Sequence, residues 1–133
     1  MKVHKGVLAG LATVALAGTS AWAGQKDDRP VFVSVTDRLA VGALGSARAS
    51  ADAVQYIGCE IHTFSAPTLA PQLLCMAVDA AGRTGSCTSN DERMLEAARH
   101  IPSDAYLLFS WDAQGSCVEL RVTNSSRYAP RTP

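Results

Sequence analysis

Four cysteines, Cys59, Cys75, Cys87 and Cys117, set the strongest constraint on what this chain can fold into. Their spacings contain no C-x-x-C pair, so a zinc ribbon or a thioredoxin-like redox motif is not supported. An even count in a short chain reads instead as a disulfide framework. Three of the cysteines bracket two turns of the same chemistry, Asp79-Ala80-Ala81-Gly82 and Asp112-Ala113-Gln114-Gly115. Aspartate first and glycine fourth favour a type I turn whose glycine takes the left-handed bulge position. Apolar, strand-like residues flank both turns, which predicts two β-hairpins.

The first turn implies a register. Pairing Asp79 with Arg83 sets Cys75 opposite Cys87, and directly opposed strand residues lie ~4.5–5.5 Å apart, inside the Cα range of a disulfide. The expected bonds are therefore Cys75–Cys87 and Cys59–Cys117. The rival pairing, Cys59–Cys75 with Cys87–Cys117, arises if the loop around Pro67 closes a hairpin instead. Matching Asp112 to Ser116 in the second turn places Trp111 against Cys117, Leu108 against Leu120 and Tyr106 against Val122. That register leaves Glu119 and Arg121 on the same face as Leu107, Phe109 and Trp111.

Between the hairpins, Ser89-Asn90-Asp91-Glu92 has the form of a capping box with Ser89 as N-cap. Met94, Leu95, Ala98 and Ile101 follow at helical spacing, and Pro102 stops the helix. Val31 to Val35, Val54 to Phe64 and Gln72 to Asp79 read as strands. In the second of these, Ile57, Cys59 and Ile61 share one face, while Tyr56, Gly58, Glu60 and His62 share the other. From Arg38 to Ala53 small residues dominate; helix and strand both stay open there, and close backbone packing accounts for the composition. The expected fold is α+β: a small antiparallel sheet of about five or six strands with one helix packed on it, stabilised by disulfides.

The N-terminus reads as an export signal. A basic start (Lys2, Lys5), an apolar run from Gly6 to Gly18 and the Ala21-Trp22-Ala23 ending predict cleavage after Ala23. The run falls short of the ~20 residues a bilayer span needs. Residues 24–30 are then a flexible leader, 31–124 one domain and 125–133 a tail, in a periplasmic or extracellular setting. Past residue 23 the chain carries ten basic and twelve acidic residues, a formal charge of −2. That balance disfavours a nucleic-acid footprint, and no basic amphipathic helix marks a membrane-surface binder. No membrane insertion is expected after cleavage, and no cofactor is implied.

Candidate chemistry is thin. Glu60 and His62, two apart on a strand, can act as orienter and base or as two metal ligands. A metal needs a third ligand, and no spacing asks for one. No Gly-x-Ser-x-Gly elbow occurs, and oxidised cysteines offer no nucleophile. Arg48 and Asp52, four apart, can pair on a helical face or clamp a polar ligand. Tyr56 is the aromatic candidate for a recognition surface, whereas Phe109 and Trp111 read as core. The expected function is a small exported, non-catalytic binding or interaction protein, such as an inhibitor or accessory subunit, engaging a protein or small-molecule partner. The alternatives are a small hydrolase or metal-dependent enzyme using His62 and Glu60, or a purely structural envelope protein.

Overall fold

The described residues form seven strands and two short helices. The computed structural model describes residues 26–128 and Pro130; the export signal read in residues 1–23 lies outside the described residues. In chain order the elements are β1 (Phe32–Ser34), β2 (Leu39–Ala43), α1 (Leu44–Arg48), β3 (Tyr56–His62), β4 (Gln72–Val78), β5 (Thr84–Ser89), α2 (Glu92–Arg99), β6 (Tyr106–Trp111) and β7 (Cys117–Thr123). They form a four-stranded sheet, β1-β2-β6-β7, and a three-stranded sheet, β3-β4-β5. Every pairing between these strands is antiparallel. The α+β, disulfide-linked architecture is as expected, with the strands divided between two sheets rather than gathered in one.

The inner faces of the two sheets close on one core. Val33, Ala40, Leu107 and Phe109 come from one sheet, Ile57, Leu73, Cys75, Ala77 and Cys87 from the other, and Leu95 from α2. The small residues after Arg38 serve this packing. A Cβ on Gly42 would stand 3.1 Å from the Val31 Cα, so a side chain there would push the backbones of β2 and the entry to β1 apart by a few tenths of an ångström. Residues 26–30 and the C-terminal stretch run together: Asp27 N donates to Arg127 O, and Tyr128 stacks on Tyr106 at 5.2 Å. Arg29 N donates to the buried Ser46 Oγ of α1.

Both turns have the expected conformation, with Gly82 at φ 77° and Gly115 at φ 81°. The β4–β5 register also agrees, Cys75 facing Cys87. The bonds differ from expectation: Cys59 is joined to Cys75 and Cys87 to Cys117. The reason lies in the phase of the ladder. Asp79 N donates to Arg83 O, so counting in twos along the hairpin makes Cys75 and Cys87 a hydrogen-bonded pair. Cys75 then meets Cys59, its partner across β3, as a non-hydrogen-bonded pair, in which the side chains come closer. Their Cα atoms are 4.0 Å apart. Cys87 is left to bridge the two sheets, reaching Cys117 at the start of β7.

The β6–β7 register departs from expectation after one pair. Trp111 faces Cys117 as predicted, but a bulge between Ser110 and Trp111 then sets Leu108 against Arg121 and Tyr106 against Thr123. One inserted residue exchanges the faces of the strand. Leu120 and Val122 turn inward beside Phe109 and Leu107, and Glu119 and Arg121 pair on the outside at 2.8 Å. The bulge removes the buried charges that an unbroken ladder would impose.

Helix α2 starts later than the capping-box reading placed it. Its N-cap is Asp91, whose side chain accepts from Arg93 N, while Ser89 Oγ accepts from Asp91 N. Ser89 is still paired to Leu73 in the sheet, so it cannot also begin the helix.

The β4–β5 turn is fastened by a buried carboxylate. Asp79 is 2% exposed and accepts from the N–H groups of Ala81 and Arg83 and from the Arg83 guanidinium at 2.6 Å. Burial alone pushes its pKa up; the Arg83 N–H, guanidinium and charge outweigh that and hold it below the usual value of 3.8. Asp91 is lowered to about 2 by the Arg93 side chain and N–H, and Asp52 is lowered by the Gln55 amide and nearby N–H groups. A depressed folded-state pKa contributes stability above the unfolded value and loses it as pH falls through the folded one. Unfolding free energy is therefore expected to hold between about pH 7 and 5 and to decline below about pH 4. Urea titrations across that range check this, and Asp79→Asn should flatten the acid limb.

Candidate functional site

Strand β3 brings three of the candidate residues together. Its inward positions are spent on Ile57, Cys59 and Ile61, so Tyr56, Gly58, Glu60 and His62 project from the outer face of the three-stranded sheet. The register adds the corresponding residues of β4: Val78 beside Tyr56, Met76 beside Gly58, Leu74 beside Glu60 and Gln72 beside His62. Gly58 shapes this surface. A Cβ there would lie 3.2 Å from Tyr56 Oη, so the phenol is folded along the strand over the glycine. Tyr56 is 48% exposed and Met76 40%. Together with half-buried Leu74 and Val78 they make an apolar strip, bordered by Glu60, His62, Gln72 and the outward Thr84, Ser86 and Thr88 of β5.

Glu60 and His62 do meet. His62 Nε2 lies 3.0 Å from Glu60 Oε1, with both side chains about half exposed. Water and salt screen such a pair, so it is worth ~1 kcal/mol or less to stability. Beside it, a groove of about 270 Å³ begins at Gln72 and is lined otherwise by Thr88, Ser89, Asn90 and Ser116, none of them ionisable. Two residues of the pair can orient a water or a ligand, but a proton transfer also needs a reacting group held against them. For a metal, the pair supplies two donors. Among the described residues, one group of three His, Cys, Asp or Glu side chains has donor atoms within 4.8 Å of one another: Cys75, Cys87 and Cys117. All three are held in disulfides and offer no thiolate. No protein-family model, curated protein or solved structure matches this chain.

Arg48 shares a small groove of about 160 Å³ with Tyr56 and Gln55, but it is not paired with Asp52. Helix α1 stops at Arg48, so the spacing of four never becomes one helical turn. Arg48 donates to Ser103 O at 2.6 Å. Asp52 caps the entry to β3, accepting from Val54 N, Gln55 N and Gln55 Nε2, and Gln55 Oε1 in turn accepts from Val31 N. Both residues fasten the structure. Met76 and Gly58 complete the surface although neither is a chemistry-bearing residue type. The glycine inside a strand pattern is the signal that marks them, because it points to a close approach.

Two disulfides fit an oxidising compartment. Among the described residues no helix is long and apolar enough to cross a membrane.

Proposed function

We propose that this is an exported, non-catalytic interaction protein of the periplasm or cell exterior, and that it engages another protein through the outer face of β3 and β4. The observation that carries the reading is the Tyr56–Met76 strip, an exposed aromatic and a flexible thioether over a glycine seat with a polar border. An apolar centre with a polar rim is the anatomy of protein interfaces, and tyrosine is enriched among residues that dominate binding. The open placement of Glu60 and His62 favours a rim role for them over a catalytic one.

The test is a photo-crosslinking residue at position 76, with the same residue at exposed Ser103 as control. A discrete adduct with another protein at 76 and none at 103 is the expected result. Tyr56→Ala combined with Met76→Ala should leave stability within ~0.5 kcal/mol, since both side chains are exposed. It should weaken the captured complex roughly thirtyfold, as loss of a ~2 kcal/mol hot spot requires. Equal crosslinking at both positions, or none at either, contradicts the proposal.

A further inference from the structure

Strand β5 carries a second recognition feature, in its backbone. It is the last strand of its sheet and pairs on one side with β4. Its hydrogen-bond phase is pinned at both ends: Asp79 N donates to Arg83 O before the strand, and Thr88 N donates away from the sheet to Gly115 O. Backbone groups in an antiparallel strand alternate between its two edges. Gly85, Cys87 and Ser89 therefore bond to β4, and the N–H and C=O groups of Thr84 and Ser86 point to the open side. Near its end β5 touches the other sheet through one bridge, Thr88 with Ser116. Earlier along the strand the sheets are held apart by Trp111, whose six-membered ring presses on Gly85 so closely that a Cβ there would overlap it.

The gap is a groove of about 400 Å³ bounded by Thr84–Ser86, Trp111 and two hairpin turns, with Arg38 and Gln114 among its lining. Arg38 sits at φ 52° in the β1–β2 turn, and its carbonyl accepts from Trp111 N. Its guanidinium has no ion-pair partner among the described residues. Unpaired strand groups, an aromatic floor and an uncommitted cation in one groove match the recognition of an extended peptide by strand addition.

We propose that the open edge of β5 accepts an extended segment of a partner protein. The segment pairs with Thr84 and Ser86, lays an apolar side chain on Trp111 and presents a carboxylate to Arg38. A single strand is the occupant that fits. The turns at 35–38 and 112–115 wall the groove, and pairing with a second copy is an outcome the test below separates. The strand uses the edge backbone of Thr84 and Ser86, whose side chains border the first strip, but not Tyr56 or Met76, so substitutions at those two residues distinguish the two proposals.

The experiment pans a displayed library of short random peptides on the oxidised protein, then titrates the enriched peptides while following tryptophan emission; past residue 23 Trp111 is the one tryptophan, and protein that keeps residues 1–23 carries Trp22→Phe. Enriched sequences should combine β-branched residues with Asp or Glu, and binding should shift Trp111 emission. Ser86→Pro removes an N–H that the sheet does not use, so the fold is kept and affinity should fall at least tenfold. Arg38→Asn, comfortable at positive φ, should weaken binding severalfold, and Tyr56→Ala should leave it unchanged. Should Ser86→Pro disturb folding, amide exchange decides: Thr84 and Ser86 must exchange fast alone and slowly with peptide. Peptides that bind Ser86→Pro as tightly as the parent, no enrichment, or dimerisation that Ser86→Pro abolishes would each overturn the proposal.

Discussion

Replacing Cys87 and Cys117 together by alanine is expected to lower the unfolding free energy by about 4 kcal/mol, the loop-entropy value for a bridge of this span. The bond closes a separation of 30 residues, against 16 for Cys59–Cys75, for which the same relation gives about 3 kcal/mol. Position adds to the difference. Cys59 and Cys75 lie on strands already paired along their length, whereas Cys87 and Cys117 join β5 to β7 across the gap between sheets. Removing that bridge leaves one β-bridge and side-chain packing to hold β5 against the other sheet. Reducing both bonds should cost about 7 kcal/mol, comparable to the whole net stability of a small domain, about 5–15 kcal/mol. Urea unfolding of the double-alanine variant, and thermal melts with and without a strong reductant, measure these losses. A variant that unfolds at the parental urea midpoint contradicts the assignment of this bridge as the main staple.

Phe109→Ala should cost about 3–5 kcal/mol, the range for emptying a buried aromatic site. Phe109 is fully buried at the centre of β6. Across β2 and β7 it is flanked by Ala40 and Leu120, and its ring centroid lies 5.9 Å from that of Trp111. Ala40 is too small to refill the space, and Trp111 is held against Gly85. The cavity would therefore persist between the sheets. Phe109→Leu, which keeps most of the volume, should lose markedly less; equal losses for the two variants would place Phe109 outside the core. Chemical denaturation with matched slopes provides the comparison.

Much of this fold was legible where local chemistry acts alone. The Asp-x-x-Gly turns, the alternation of β3 and the Met94, Leu95 and Ala98 stripe of α2 follow from backbone preference and burial and appear where the residues place them, while Ile101 lies past the end of the helix. The errors have a common physical origin, competition between local signals and neighbours distant in sequence. Cys75 has a cysteine opposite it on each side, and the hydrogen-bond phase decides which comes closer. Glu119 and Arg121 conflicted with an unbroken register, and the bulge resolved the conflict. Ser89 carries a cap signature but is claimed by the sheet. The candidate surface was half legible: Tyr56, Glu60 and His62 share a face by the period of a strand. Met76 joins them through a strand pairing that depends on the Cys59–Cys75 hairpin, and the Arg48–Asp52 pair does not form because α1 is only five residues long.

Tryptic mapping of the unreduced protein tests the two-sheet arrangement most directly, because arginines separate the half-cystines informatively. Cleavage yields Ala49–Arg83 with Cys59 and Cys75, Thr84–Arg93 with Cys87, and His100–Arg121 with Cys117. The structure predicts that Ala49–Arg83 runs alone, lighter than its reduced form by two hydrogens, and that Thr84–Arg93 and His100–Arg121 run as one linked species. A covalent link between Ala49–Arg83 and either of the other two peptides would contradict it.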